Sequence, residues 1–104
     1  MKQVIVIVKP FVAEAVLQIV QEHDVAACIV DEVKGYSRQK GYLDRYQGSE
    51  YSMAFLPKVE INLWVRDDVA EILIPKIIAK ARTGRIGDGK IFVQNAAWHE
   101  ALEF

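Results

Sequence analysis

The sequence predicts an α+β domain in which a four-stranded antiparallel sheet carries two helices on one face. Short apolar or alternating segments predict four strands, and two longer segments with helical periodicity separate them in pairs. The order of elements is therefore βαβ, a long connection, and βαβ again. This is the order of the split βαβ, ferredoxin-like sandwich, and we expect the 104 residues to form a single domain of this kind.

The first half of the chain predicts a strand, a helix and a second strand. Residues 4–8 are consecutive β-branched apolar residues, which are typical of a strand buried on both faces. Pro10 is expected to break this strand, and residues 12–22 then repeat apolar side chains at helical spacing. We expect His23 to cap the end of that helix, and residues 25–33 to form the second strand.

A long connection at residues 35–57 separates the two halves. It contains three glycines, four tyrosines and charges of both signs, without sustained periodicity. Connections of this length are uncommon in small domains and usually carry function. Because tyrosine combines an apolar ring with a polar hydroxyl, this composition favours a surface that docks on another protein.

The second half begins with a strand and a helix. Residues 58–66 alternate between apolar and polar side chains, with Trp64 as an exception on the polar face. The acidic pair at 67–68 predicts the N-cap of a helix over residues 69–82. Pro75 lies inside that helix and is expected to kink it.

The chain closes with a loop, a strand and a tail. Residues 83–89 form a glycine-rich loop, residues 90–96 predict the fourth strand, and residues 97–104 predict a short helical turn or a packed tail. Two helices leave one face of the sheet uncovered, although 52% of the residues are hydrophobic. Because so short a chain buries little of its own surface, we expect several copies to associate.

The composition excludes several functional classes. Thirteen basic and fourteen acidic residues leave a net charge of −1, which argues against a broad surface for nucleic acid or an acidic membrane. A single cysteine, Cys28, excludes a disulfide framework, and we expect it to be a buried small hydrophobe. His99 beside Glu100 is too small a cluster to predict a metal site. No segment predicts a membrane span or a signal peptide, so we expect a cytoplasmic protein without membrane insertion.

Residues 84–90 have the spacing of a phosphate-binding P-loop, G-x-x-x-x-G-K. The match is incomplete, since Ile91 stands where a P-loop has the Ser or Thr that binds magnesium, and the segment runs from helix to strand. Two interpretations remain open. The glycines could let backbone N–H groups approach a phosphate beside Lys90, or they could form a plain turn after a helix.

Longer motifs resemble a known family. Residues 83–93, TGRIGDGKIFV, resemble the C-terminal signature of the P-II nitrogen-regulatory signalling proteins. Residues 46–51, YQGSEY, resemble the second signature, at the tip of the family's T-loop. Matches at residues 8–11, 32–41 and 55–59 extend the similarity over roughly residues 1–92, and the chain is identified as a member of this family.

The resemblance implies a homotrimer of ferredoxin-like subunits that bind ATP or ADP in the clefts between them. The T-loop would span about residues 36–57, the B-loop about residues 82–90, and a divergent tail residues 94–104. The T-loop would control a membrane transporter or a metabolic enzyme, with no nucleic acid involved and no catalytic residues. The implied nucleotide-binding residues are Ile29, Gly35, Ser37, Arg38, Trp64, Gly87, Asp88, Gly89 and Lys90.

The resemblance also implies further ligands and modifications. With Mg²⁺ and ATP bound, family members accept 2-oxoglutarate, and Gln39, Gly41 and Lys58 match that site. Gln39 would help to ligate the magnesium through its side-chain oxygen, and Lys58 would pair with a carboxylate of 2-oxoglutarate. Tyr51 matches a tyrosine that some relatives carry nucleotidylated, and Ser49 a serine that others carry phosphorylated.

The C-terminal segment departs from the family pattern. Relatives usually continue with a basic strand whose arginines reach the triphosphate of the neighbouring subunit, but residues 91–104 contain no Lys or Arg. Asn62 also stands where a Glu is common. Because the γ-phosphate carries the charge that those arginines would neutralise, we expect poor discrimination of ATP from ADP.

Three functional interpretations follow. The first is a non-enzymatic sensor whose T-loop responds to ATP, ADP and 2-oxoglutarate. The second is a diverged regulator of another transporter, such as a metal-efflux pump, with a weakened response to ATP or 2-oxoglutarate, which the acidic, aromatic tail favours. The third is a weak ATPase, for which the sequence offers no evident general base.

Overall fold

The computed structural model describes residues 1–35, 56–84 and 89–97. Its elements are β1 (Lys2–Val8), α1 (Pro10–Gln21), β2 (Ala27–Gly35), β3 (Leu56–Val65), α2 (Asp67–Ala81) and β4 (Gly89–Asn95). The four strands form an antiparallel sheet in the order β2-β3-β1-β4. The helices contact each other, with α1 also on β3 and α2 also on β1. This arrangement confirms the ferredoxin-like sandwich that the sequence predicts.

The hydrophobic core lies between the two helices and one face of the central strands. Alternate residues of β1 and β3 point into it, as the alternation in β3 predicts. The strand residues, each at most 9% exposed, are Val4, Val6, Val8, Val59, Ile61, Leu63 and Val65. Burial of a branched aliphatic side chain stabilises a fold by about 1.5–3 kcal/mol, so this layer is the main source of stability.

The first helix begins earlier than expected. Pro10, predicted to separate β1 from the helix, is instead the first residue of α1. Proline suits this position because the first N–H groups of a helix have no partner inside the helix. Lys9 precedes it as the N-cap, in an extended conformation and without a side-chain cap bond.

The second helix also begins earlier than predicted. Arg66 is its N-cap, so Asp67 and Asp68 lie in the first turn rather than at the cap, where their charge still favours the helix dipole. Arg66 Nε donates to Asp68 Oδ1 at 3.2 Å, and this hydrogen bond holds the pKa of the Asp68 carboxyl below its ordinary value. The helix runs through Pro75 to its end at Ala81 without interruption.

The end of α1 is tied to α2 by His23. The ring Nδ1 lies 2.9 Å from the carbonyl oxygen of Ile19, so His23 caps the helix as predicted. The ring Nε2 lies 3.2 Å from Nζ of Lys76 on α2. Because an ammonium group can only donate, Nε2 must be the acceptor, and the ring proton therefore sits on Nδ1.

The opposite face of the sheet carries no helix. The sequence predicted that the first strand would be buried on both faces, but within the described residues Ile5 and Ile7 are only half-buried. On the same face Ile29 is 56% exposed and Phe92 51% exposed. We call this surface the open face; it is defined by the odd-numbered residues of β1 and β2 and the even-numbered residues of β3 and β4.

Cys28 lies on β2 and is exposed, so the expectation of a buried cysteine is wrong. The helices pack on β1 and β3, and β2 extends beyond them at the edge of the sheet. Neighbouring groups still remove enough water from the sulfur to raise the pKa of the Cys28 thiol above its ordinary value.

Within the described ranges, no helix is both long enough and apolar enough to cross a membrane.

The contacts of His23 predict its tautomer. Long-range ¹H–¹⁵N correlation spectra at mildly alkaline pH should show the proton on Nδ1, because Nε2 accepts from Lys76 and Nδ1 donates to Ile19. Lys76→Met removes the donor and should let the other tautomer appear. A wild-type ring protonated mainly on Nε2 would contradict this assignment.

Candidate functional site

Gly35 and Lys58 lie at the end of the sheet where β2 ends and β3 begins. The two strands pair up to Gly35 and Leu56. Lys58 is only 6% exposed, which is unusual for a lysine. A Cβ added at Gly35 would lie 2.7 Å from Lys58 Cγ and 3.5 Å from its Cε. The lysine stem therefore lies across the glycine, in space that a side chain at residue 35 would occupy.

The start of β4 has a stricter requirement for glycine. Gly89 has φ +138°, and an added Cβ would lie 1.9 Å from the carbonyl oxygen of Ile7. Since that oxygen belongs to the backbone of the central strand, it cannot move aside without breaking the sheet. Lys90 follows directly, exposed and opposite Ile7.

Strand register brings these two places to the same end of the sheet. Val8 pairs with Val59 on one side and with Gly89 on the other. Lys58 and Lys90 therefore flank the end of β1, and Lys9 follows β1 directly. Three lysines thus lie at one end of a small sheet, although the chain as a whole is nearly neutral. We call Lys9, Lys58 and Lys90 the basic end.

A cavity of about 310 Å³ lies beside the basic end, between α2 and the β1–β4 pair. It is lined by Val8, Ile78, Ala81, Arg82, Gly89, Lys90 and Ile91. The lining is aliphatic except for the two cations, Arg82 and Lys90. Arg82 and Gly89, which both line this cavity, precede and follow residues 85–88 in the sequence.

Two of the predicted nucleotide-binding residues, Ile29 and Trp64, lie close together on the open face. Ile29 pairs with Asn62, and Trp64 pairs with Ala27, so Ile29 and Trp64 are diagonal neighbours on adjacent strands. Trp64 is half-buried, on the polar side of β3 as predicted. An exposed aliphatic side chain beside an indole forms a patch on which a flat aromatic ring can pack.

Many of the predicted site residues lie outside the described part of the chain. Ile29, Gly35, Lys58, Trp64, Gly89 and Lys90 are described, and two of them, Lys58 and Lys90, belong to the basic end. The roles assigned to the others stay predictions. These others are Ser37, Arg38, Gln39, Gly41, Ser49, Tyr51, Gly87 and Asp88.

Sequence reasoning missed Lys9 and a chain of polar residues on the open face. Lys9 follows directly after the first strand, which was a usable signal for a residue at the end of the sheet. The polar chain joins Gln3, Asn62, Glu60 and Gln94 by side-chain hydrogen bonds. Its members come from three strands, and a single sequence does not show which of their residues lie opposite each other.

Among the described residues, no group of three His, Cys, Asp or Glu side chains is placed to hold a metal ion.

The fold and the glycine-lined basic end define a small ferredoxin-like domain with local positive charge. The chain matches the family model described as nitrogen regulatory protein P-II over residues 1–99. Over 97 residues it is 45% identical to the nitrogen regulatory protein P-II of Klebsiella oxytoca and to nitrogen regulatory protein P-II 1 of Escherichia coli strain K12, covering 93% of this chain and 87% of each relative. It is 47% identical over 95 residues to the nitrogen regulatory protein P-II of Bradyrhizobium diazoefficiens, covering 91% of this chain and 85% of that protein.

The chain belongs to the nitrogen regulatory protein P-II family. It is accordingly a regulatory signal-transduction protein.

Gly89→Ala is expected to destabilise the protein by about 3 kcal/mol or more, because it combines a positive φ with a clash against the Ile7 carbonyl. Gly84→Ala is the matched control, since Gly84 has φ +84° but nothing within 4 Å of an added Cβ. This control should lose only about 1–2 kcal/mol. Urea unfolding at one fixed protein concentration measures both, and equal losses would contradict the clash.

Gly35→Ala should be costly only while Lys58 is present, because its Cβ meets the lysine stem close to the backbone. A double-mutant cycle with Lys58→Ala tests this by urea unfolding. We expect a coupling free energy of about 1 kcal/mol or more, with Gly35→Ala close to neutral in the Lys58→Ala background. Additive losses would show that the two residues do not constrain each other.

Proposed function

We propose that the chain is a P-II-type regulator that binds ATP or ADP at the basic end of its sheet, in clefts between the subunits of a homotrimer. The observation that carries this proposal is the register at Val8, which places Lys58 and Lys90 on either side of β1. Each of these lysines lies beside a glycine at which the structure has no room for a side chain.

The chemistry of the basic end suits a polyphosphate. Ammonium groups neutralise phosphate charge, and backbone that carries no Cβ lets N–H groups come close to an anion. Gly89 and Lys90 would contact the phosphates together with Gly87 and Asp88. Gly35, Ser37 and Arg38 would approach from the start of the T-loop at residues 36–57.

The open face supplies a place for the base. Ile29 and Trp64 would pack against the adenine, which explains an exposed aliphatic residue and a tryptophan on an otherwise polar side of β3. Asn62 lies between them, as the partner of Ile29. The nucleotide would thus span from the basic end onto the margin of the open face.

The bound ligand would control the T-loop, which then binds or releases a membrane transporter or a metabolic enzyme. A ligand shifts a conformational equilibrium only through contacts that differ between the two states. Arg38, Gln39 and Lys58 would supply such contacts. Gln39 would ligate magnesium in Mg-ATP, and Lys58 would hold a carboxylate of 2-oxoglutarate, with Gly41 in the same segment. Modification of Tyr51 or Ser49 would add negative charge to the docking loop.

The C-terminal tail favours a second candidate, a regulator of a transporter outside nitrogen metabolism such as a metal-efflux pump. Residues 94–104 carry two glutamates and no Lys or Arg, where relatives are basic. Binding of 2-oxoglutarate in the presence of Mg-ATP, abolished by Lys58→Ala, would favour the first candidate. Absence of that binding would favour the second, and rapid phosphate release from ATP would instead reveal an ATPase.

Titration calorimetry tests nucleotide binding directly. ADP and ATP should bind with similar affinity, because residues 91–104 offer no cation for the γ-phosphate. Lys90→Ala should weaken both nucleotides by roughly tenfold or more, the effect of losing one charged hydrogen bond to phosphate.

The control is Lys34→Ala, which removes the same charge from the end of β2 but on the opposite side of the sheet from Gly35. It should leave both affinities within about threefold of wild type. Failure of both nucleotides to bind would overturn the proposed ligand, and ATP binding much more tightly than ADP without an effector would overturn the expected lack of discrimination.

A further inference from the structure

The side-chain hydrogen bonds on the open face fix the orientation of the Asn62 amide. Asn62 Nδ2 donates to Glu60 Oε2 at 2.8 Å, and Asn62 Oδ1 accepts from Gln3 Nε2 at 3.3 Å. Gln3 Oε1 in turn accepts from Gln94 Nε2. Because an ionised carboxylate can only accept, Glu60 determines which way the amide of Asn62 faces, and with it the amide of Gln3.

These two bonds leave one edge of the Asn62 amide unused. Gln3 lies opposite the residue two positions after Asn62, and Glu60 lies two positions before it, so the bonds leave the amide in opposite directions along the sheet. A primary amide has two N–H groups and an oxygen with two acceptor positions. One of each is taken, and in a planar amide the remaining N–H and acceptor position point together, away from the sheet. Asn62 therefore presents a donor beside an acceptor in one fixed order.

This edge lies beside the apolar patch on which the proposed function places the base. Ile29 is the direct cross-strand partner of Asn62, and Trp64 lies on the same face of β3, two residues further along the strand. Ile29 is 56% exposed and Asn62 is half-buried, so a ligand has access to both. A base packed on Ile29 and Trp64 would thus bring its polar edge next to the Asn62 amide.

We propose that the Asn62 amide recognises the edge of the base and selects 6-aminopurines over 6-oxopurines, with Gln3 and Glu60 as positioning residues. This inference rests on the nucleotide binding of the proposed function and adds how the base is distinguished. Adenine presents the N–H donor of its 6-amino group beside the N1 acceptor, so it can form two hydrogen bonds with the amide. Hypoxanthine has both groups reversed, with an oxygen at position 6 and a hydrogen on N1. It would therefore place acceptor against acceptor and donor against donor.

Selectivity depends on the fixed orientation of the amide and not on the asparagine alone. A free amide could turn over by rotation about its last side-chain bond and would then match either base. Turning Asn62 over would direct its oxygen at the Glu60 carboxylate, where two acceptors would face each other without a proton between them. Glu60 therefore determines the order of donor and acceptor that a base meets, although it does not contact the base itself.

Calorimetric titration with ADP and with inosine diphosphate tests the proposal, because the two nucleotides differ only at this edge of the base. The wild-type protein should bind ADP about tenfold or more tightly than inosine diphosphate. The double variant Gln3→Glu/Glu60→Gln keeps side-chain size and net charge but exchanges the donor and the acceptor on either side of Asn62. Its Asn62 amide should turn over, and the preference should change to inosine diphosphate.

Two further variants serve as controls. Gln18→Glu/Glu22→Gln makes the same two chemical changes at exposed positions on and next to α1, and it should keep the wild-type preference. Asn62→Ala removes the amide edge and should bind the two nucleotides with affinities within about threefold of each other. Because each variant is judged by the ratio of two affinities, a general loss of stability or of phosphate contacts does not imitate a reversed preference.

The outcomes separate this inference from the proposed function. A reversed preference in Gln3→Glu/Glu60→Gln supports recognition of the base by Asn62. Equal affinity of the wild type for both nucleotides overturns the inference and leaves nucleotide binding standing. An ADP preference that survives in Asn62→Ala or in the reversed double variant does the same. Failure of the wild type to bind either nucleotide overturns both the inference and the proposed function.

Discussion

The central strand β1 is hydrogen-bonded on both sides, and the rest of the molecule depends on the register of those two pairings. On its helix-facing side, Val4, Val6 and Val8 are sealed under α1 and α2 and contribute much of the folding free energy. The same register fixes what lies at the ends of the strand. A shift of β1 by one residue would expose its valines and change which residues of β3 and β4 lie beside the end of β1.

Close backbone approach is the means by which β1 positions the basic end. At Gly89 the backbone of β4 comes so near the Ile7 carbonyl that only glycine fits, and Lys90 follows in a fixed orientation. At Gly35 the missing side chain makes room for the stem of Lys58. Stability and the position of these lysines are thus coupled, because the backbone contacts that hold the strands together also determine where Lys58 and Lys90 lie.

The sequence predicted the fold well because strand alternation and helical periodicity are local signals. The core face of β3 could be read from residues 58–66 alone, and the elements came in the predicted order. The errors lie at the helix starts and at the margins of the sheet. Pro10 suited a helix start as well as a break, and Cys28 looked buried because its neighbours are apolar. Neither the strand propensity nor the hydropathy of residues 27–35 shows that β2 lies at the edge of the sheet, beyond the helices that cover β1 and β3.

The candidate site was less predictable from residue patterns than from family resemblance. The glycines and the lysine at residues 84–90 were compatible with a plain turn as well as with a phosphate-binding loop. The sequence around Lys58 did not distinguish a ligand-binding lysine from an ordinary exposed lysine at the start of a strand. Lys58 and Lys90 come to the same end of the sheet because β1 pairs with both β3 and β4, two strands that are distant from it in sequence. Long-range pairing of this kind is set by the whole core, and so it is absent from any short window of the chain.

The exposure of Cys28 makes the protein easy to observe. It is the single cysteine of the chain, so a thiol-reactive fluorophore or spin label would attach at one position without any substitution. Its side chain points to the helix side of the sheet, where a label leaves the open face uncovered. Because the pKa of the thiol is raised, labelling needs a mildly alkaline buffer. Attached to β2, the strand that ends at Gly35, such a probe would report changes at this edge of the sheet.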